Sequence, residues 1–205
     1  MKTNHVGRVL WPSVRFSALS SMRFLCFIVL LSSAAVGQSE GKKQTEQFAA
    51  TAFGQGGMFS GKNVSLNIYI TDYSGDQEVE DLAATLKTSG SDALLKAVRK
   101  MKEKGRVSTT GRIGWRVAVV RQRPTEKGRR IVMFSDRPIS FYEAGAAPRS
   151  KNYEFGLLVL DVNDNGEGEG LLYGACKVKF TNDDQLEVEN FGQAPARLAA
   201  VKLWK

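Results

Sequence analysis

Residues 22–37 have the sequence pattern of an export leader, and this feature limits what the rest of the chain can fold into. The basic Arg23 is followed by the apolar residues 24–31 and then by small residues of the kind that a signal peptidase recognises. An apolar run of that length is too short to cross a bilayer, which needs about 20 residues. We therefore expect cleavage before Gln38, an exported protein, and no transmembrane segment after the leader is removed.

Residues 1–21 precede the leader and contain Lys2, Arg8 and Arg15, but no acidic residue and no periodic pattern. They either extend the basic part of the leader or lie upstream of the true start of translation. We favour the second interpretation, with Met22 as the start.

Removing 37 of the 205 residues leaves 168, which is enough for one domain with a sizeable core. Cleavage before Gln38 removes His5, the only histidine, and Cys26, so that Cys176 has no partner for a disulfide. The domain must therefore be stabilised by its own hydrophobic core. Serine and cysteine nucleophiles that depend on a histidine base are excluded, and we expect no cofactor.

Positive charge is concentrated in one block of the mature chain. The mature protein carries 25 Lys and Arg against 21 Asp and Glu, a net charge of +4, yet residues 96–137 alone carry 14 basic residues against three acidic ones. An anionic partner is therefore expected to bind within this block.

The first half of the mature chain divides into three parts. Residues 38–62 are polar and then rich in glycine, which predicts a flexible lead-in, and residues 63–205 are predicted to form a single domain. Apolar and polar residues alternate over 63–71, which predicts a half-buried strand. Two amphipathic helical patterns then follow, separated by Gly90 and ended by Gly105, so we predict a helical hairpin.

The rest of the chain has the alternation and turn residues of antiparallel sheet. The fold class is therefore α+β: a curved antiparallel sheet or open β-barrel of about seven to eight strands, packed with a helical hairpin inserted after the first strand. After the hairpin, strands are predicted at residues 112–123, 129–135, 139–143, 153–161, 169–180, 185–190 and 197–204.

One segment partly matches a calcium-binding loop. Asp161, Asn163, Asn165 and Glu167 place oxygen ligands at alternate positions. The twelfth position of such a loop, however, is a bidentate glutamate, and here it is Leu172. A polar hairpin turn is therefore the favoured interpretation, with calcium as the weaker one.

A second candidate lies around the segment that follows residue 135, where Asp136, Arg137, Glu143 and Arg149 come close together in sequence. Paired carboxylates can hydrolyse glycosidic bonds without histidine, provided that their separation is right. The favoured interpretation is again structural: a turn with a local ion pair. Cys176 shares a strand face with apolar residues, which predicts a buried thiol, and Trp115 and Trp204 are predicted to lie in the core.

Arginines of the basic block could form one surface. Arg112 and Arg116 alternate with apolar residues, and Arg129 and Arg130 begin the next predicted strand. If these strands pair through residues 124–128, the four arginines could form a basic strip. Possible partners are an anionic polysaccharide, a lipid phosphate or an acidic protein. Nucleic acid is not expected outside the cell.

Several short motifs lie along the mature chain: Gly114-Trp115, residues 129–132 and 136–141, Arg149-Ser150 with Tyr153 and Phe155, residues 166–170, and residues 189–192 ahead of Arg197-Leu198. As a set they resemble a family of exported bacterial proteins of unknown function. The resemblance implies a location in the bacterial envelope, the periplasm or the exterior, and it implies no activity.

These observations favour an exported, non-enzymatic binding or structural protein of the bacterial envelope or exterior. Two alternatives stay open. One is a carboxylate-based hydrolase of cell-wall or polysaccharide substrates, and the other is a carrier of a small apolar ligand inside a barrel.

Overall fold

A computed structural model describes residues 6–8, 45–55, 61–139, 153–181, 186–191 and 194–204. The fold is broadly α+β and consists mostly of antiparallel sheet. Within the described residues it contains one helix, α1 (Asp76–Lys100), which is kinked at Gly90 where a helical hairpin was predicted, and more strands than the seven to eight predicted. The strands are β1 (Val6–Arg8), β2 (Glu46–Phe53), β3 (Asn63–Ile70), β4 (Gly105–Thr109), β5 (Trp115–Val117), β6 (Val119–Thr125), β7 (Gly128–Ser135), β8 (Phe155–Val162), β9 (Glu167–Phe180), β10 (Leu186–Asn190) and β11 (Ala196–Trp204).

The strands form a sheet that nearly closes into a barrel. Its hydrogen-bonded order is β5-β4-β3-β2-β11-β9-β8-β7-β6. The two end strands, β5 and β6, are separated in sequence by Ala118 alone. The Ala118 N–H donates to the Phe134 carbonyl at 3.1 Å, and the Ser135 hydroxyl donates to the Arg116 carbonyl at 2.8 Å. One bent strand thus joins the two ends of the sheet.

Side chains fill the barrel interior. On β3, Leu66, Ile68 and Ile70 are buried and alternate with more exposed residues, as the sequence predicts for this strand. They pack with inward-facing residues of the other barrel strands: Phe48, Val107, Trp115, Ile131, Met133, Leu158, Leu160, Leu172 and Leu198. The interior is thus a packed core.

The helix packs on the outside of the barrel. Leu86, Leu94, Leu95 and Val98 of α1 share a second apolar cluster with outward-facing residues of β8 and β9, namely Phe155, Leu157, Val159, Tyr173 and Cys176. Strand β8 is therefore buried on both faces, which explains its nearly continuous apolar sequence.

The interruption predicted at Gly90 is present as a kink. Gly90 has φ 77°, a left-handed conformation that glycine adopts without strain, and helical residues continue on both sides of it. The second helical stretch ends at Lys100 rather than at the predicted glycine cap. Gly105 instead begins β4, where an added Cβ would lie 2.5 Å from the Tyr69 carbonyl oxygen.

Two strands of the predicted mature chain occur where the sequence predicted none. Strand β2 lies within residues 38–62, the predicted flexible lead-in, and pairs with β3 along its whole length and also with β11. Strand β4 (Gly105–Thr109) pairs with β3 and β5. The predicted lead-in is thus wrong for Glu46–Phe53, which supplies buried Phe48 to the core. Residues 140–143 of the short strand predicted at 139–143 lie outside the described residues.

Strand β1 pairs with the outer edge of β10. Its residues precede the predicted start at Met22, so the mature domain is described below without it. Among the described residues, no helix is both long and apolar enough to span a membrane.

Candidate functional site

The four arginines of the predicted basic strip do not share one face. Arg129 and Arg130 are consecutive on β7, so their side chains lie on opposite faces of the sheet. Arg116 lies 3.1 Å from the Asp136 carboxylate, and its guanidinium also donates to the Met101 carbonyl. Arg112 lies exposed in the turn between β4 and β5. The four arginines therefore do not form a continuous basic surface, because successive side chains of a strand lie on opposite faces of the sheet.

Arg129 faces the barrel interior and belongs to a polar network at one end of it. Its guanidinium donates to both carboxylate oxygens of Glu46, at 3.1 and 2.6 Å, and to the Gln122 side chain at 2.8 Å. It also donates to the Tyr73 hydroxyl at 3.3 Å and lies 6.0 Å from the centre of the Phe48 ring. The hydrogen bonds to Glu46 raise the pKa of Arg129, which therefore stays charged.

Tyr73 is the neutral member of this network. Its pKa is raised well above the usual range, first because the side chain is partly buried and second because the Glu46 carboxylate lies nearby. The phenol therefore keeps its proton, and the network at this end of the barrel consists of one cation, one anion and polar neutral groups.

A different set of arginines lies on the outer face of the sheet. Val120 of β6 is inside the barrel, so Arg121 and Arg123 both face outward, and Arg123 lies directly opposite Arg130 of β7. Arg130 donates to both carboxylate oxygens of Asp161, at 2.6 and 2.9 Å. The pKa of Arg123 is lowered, first by partial burial and second by the charge on Arg121. This outward face is thus locally rich in positive charge.

The position of Arg121 is fixed by the start of α1. Its guanidinium forms an ion pair with Asp76 and donates to the Ser74 carbonyl at 3.3 Å. Ser74 is itself held on β6, because its N–H donates to the Val120 carbonyl at 2.6 Å. The Arg121 Nε is buried and has no hydrogen-bond partner within the described part of the chain.

These residues surround a cleft at the rim of the barrel, between residues 73–76 and the second half of β6. Its volume is about 670 Å³, which lies within the range of about 300–1,000 Å³ that is typical of ligand pockets. We call it the arginine cleft. It is lined by Tyr73, Ser74, Asp76, Arg121, Gln122, Arg123, Pro124, Gly128, Arg129, Asn163, Asp164, Gly166 and Leu203.

Of the three arginines that line the cleft, Arg129 was predicted as a site residue from the sequence, whereas Arg121 and Arg123 were not. The predicted hairpin through residues 124–128 could have identified Arg123. If the register of its turn is known, Arg123 lies directly opposite Arg130. In the structure Thr125 pairs with Gly128, which leaves a two-residue turn. A strand that extends only to residue 123 does not fix this register.

The four residues of the predicted loop candidate are only partly described. Asp136 pairs with Arg116 as stated above, and Arg137 donates to the Gly114 carbonyl at 3.3 Å. These contacts agree with the predicted structural turn. The ion pair of Asp136, however, is formed with Arg116 of β5 and not within the turn. Glu143 and Arg149 lie outside the described residues.

The weak calcium candidate forms a tight hairpin turn between β8 and β9. The Asn163 side-chain oxygen accepts hydrogen bonds from the N–H groups of Asn165 and Glu167, each at 3.0 Å. Asp161 is paired with Arg130, and Glu167 lies 3.4 Å from Lys202. Among the residues described, no three His, Cys, Asp or Glu side chains are grouped so as to hold a metal ion.

Cys176 is fully buried in the cluster beneath α1, and burial raises its pKa well above the usual range. The prediction of a buried thiol is confirmed. Trp115 is buried as predicted, whereas Trp204 is 61% exposed, so its prediction as a core residue is wrong.

Comparison with family profiles, curated proteins and solved structures finds no match to this chain. The resemblance to exported bacterial proteins therefore stays a prediction, and function has to be argued from the arginine cleft itself.

Proposed function

We propose that this is an exported, non-enzymatic protein of the bacterial envelope or exterior that binds an anionic ligand in the arginine cleft. The observation that carries the proposal is the arrangement of Arg121, Arg123 and Arg129 around a cleft of about 670 Å³. Guanidinium groups recognise carboxylate, phosphate and sulfate through paired, charge-assisted hydrogen bonds.

Three arginines line the cleft against two aspartates, Asp76 and Asp164, and this excess of positive charge favours an anion. Partial burial lowers the pKa of Arg123 first, and the nearby positive charge of Arg121 lowers it further. An anion between the two arginines would relieve their repulsion and would also compete with Asp76, whose side chain is 76% exposed, for Arg121. Arg129, which is held by Glu46, forms one wall of the cleft, and Arg121 and Arg123 make the main contacts to the ligand.

The contacts of the acidic residues argue for binding rather than carboxylate hydrolysis. Glu46, Asp136 and Asp161 are each engaged by an arginine. A glycosidase needs two carboxyl groups that face each other across the scissile bond. These three carboxylates face cations instead, and each has a structural role in joining strands.

The proposal is tested by measuring the affinity of the mature protein for inorganic phosphate, sulfate and citrate by isothermal titration calorimetry. Arg123→Gln should weaken binding at least tenfold, because it removes a cation from the lining of the cleft. Arg197→Gln is the matched control, since Arg197 is an exposed arginine on the outer surface that pairs with Glu169. Equal affinities in the two variants, or no binding by the parent protein, would contradict the proposal.

A further inference from the structure

An apolar cavity lies next to the arginine cleft, between α1 and the outer face of the sheet. Its volume is about 80 Å³ and it is partly open to solvent. Its walls are almost entirely apolar: Val79, Leu82, Ala83, Leu86 and Leu94 of α1, with Val119, Val132, Phe134, Leu157, Val178, Phe180 and Leu186 of the sheet. We call it the helix groove.

Several side chains in the helix groove are only partly buried by the protein itself. Leu82, Val132, Phe134, Phe180 and Leu186 all pack against the cluster beneath α1 while keeping some exposure to solvent. Apolar surface of this kind is stabilised when an apolar group covers it.

Arg121 lines both the helix groove and the arginine cleft. Its side chain therefore lies at the boundary between an apolar space and a polar, positively charged one. Its Nε is buried and has no hydrogen-bond partner among the described residues. A ligand that used both spaces would need an anionic group and an aliphatic chain joined end to end.

We propose that the ligand is a single-chain anionic amphiphile, with its head group held by Arg121 and Arg123 and the start of its aliphatic chain in the helix groove. This inference rests on the proposed function, because the same cleft binds the head group. It names the ligand class: a free carboxylate, sulfate or phosphate that carries one unbranched chain.

The size of the helix groove limits the chain. An apolar cavity of about 150 Å³ holds one benzene molecule, and the helix groove has about half that volume. A segment of about three carbon atoms would fill it. Each methylene group transferred from water to such a site strengthens binding about fourfold, so chain length is the variable to measure.

The experiment compares acetate, hexanoate and octanoate, each below its micellar concentration, with hexanol as a neutral control and inorganic phosphate as a head-group control. Calorimetry on the mature protein should show hexanoate and octanoate binding at least ten times more tightly than acetate. Hexanol should bind much more weakly than hexanoate, because it lacks the charge that the arginines recognise.

A matched pair of variants separates the groove from the cleft. Ala83→Phe fills the helix groove and should abolish the gain in affinity from the chain while leaving phosphate affinity unchanged. Ala84→Phe is the control, because Ala84 is exposed and does not line the groove, and it should retain the full gain.

The outcomes distinguish this inference from the proposed function. If phosphate binds but hexanoate and octanoate bind no more tightly than acetate, the inference is overturned and the proposed function stands. If no anion binds, both fail. Binding to phosphatidylglycerol vesicles without binding to monomeric octanoate would also overturn the inference, since it would indicate a membrane surface as the partner.

Discussion

Arg129 of β7 binds both carboxylate oxygens of Glu46 in β2, at 3.1 and 2.6 Å, and so joins two strands whose residues lie 83 positions apart. Both side chains are largely buried, with 27% and 15% exposure. The ion pair also fixes the wall of the arginine cleft, because Arg129 contacts Tyr73 and Gln122 from the same position. The segment before residue 62 is therefore part of the site's framework.

Replacing Glu46 with Gln should destabilise the fold, because it leaves the Arg129 guanidinium partly buried without its anion. We expect a loss of about 1–3 kcal/mol in the free energy of unfolding, measured by urea denaturation of the mature protein. Glu169→Gln is the control. It breaks an exposed pair with Arg197 and should change the free energy of unfolding by less than about 0.5 kcal/mol. Similar effects of the two substitutions would contradict this account of the network.

Deleting residues 38–55 from the mature protein should prevent folding. Strand β2 lies between β3 and β11 in the sheet order, and buried Phe48 belongs to the barrel core. Circular dichroism and thermal melting of the shortened chain, compared with the chain that begins at Gln38, provide the test. A cooperative transition at the same temperature in both chains would show that β2 is dispensable.

Cys176 should react with a thiol reagent in the unfolded protein and hardly at all in the native one, because the side chain is fully buried. Burial raises its pKa in the folded state, so the unfolded state loses this proton at lower pH. The thiol's contribution to stability is thus complete below the unfolded pKa of about 8.5, and it declines by about 1.4 kcal/mol per pH unit above that value.

Comparison with Cys176→Ala isolates this contribution from that of other titrating groups. The difference in the free energy of unfolding between the two proteins should shrink as the pH rises from 8 to 10. A constant difference over that range, or rapid labelling of native Cys176 at pH 8, would contradict the assigned burial.

Export should yield a mature protein that begins at Gln38. Intact-mass measurement and N-terminal sequencing of protein exported by a bacterial host would establish the cleavage site. Retention of residues 22–37 on the exported protein would contradict the leader assignment. A mature chain lacking β1 should keep the melting temperature of the full domain, because β1 pairs only with the outer edge of β10.

The sequence predicted those elements whose apolar residues follow a single clear period. Leu66, Ile68 and Ile70 alternate strictly, and the strand they predict agrees with β3 within one residue. The break at Gly90 was likewise visible, because glycine adopts the positive φ that the kink requires. Strand β2 was missed because two of its inward residues, Ala50 and Ala52, are too small to give a strong apolar signal beside a glycine-rich segment.

The candidate site was harder to predict because it depends on register and on contacts between distant strands. The three arginines that line the cleft, Arg121, Arg123 and Arg129, all lie in the positive block at residues 96–137. A one-residue difference between Arg129 and Arg130 moves a side chain from the barrel interior to the outer face. The sequence also does not show that Glu46 pairs with Arg129 and Asp161 with Arg130. Nor does it show that Arg121 and Arg123 line the same cleft.

The most direct test of the arginine cleft is a titration of the isotopically labelled mature protein with phosphate, followed by two-dimensional NMR of the backbone amides. The account predicts that the largest shift changes fall together on residues 73–76, 121–123 and 163–166, and that they disappear in Arg123→Gln. Changes centred instead on Arg112 and Arg116, or spread evenly over the exposed lysines and arginines, would contradict it.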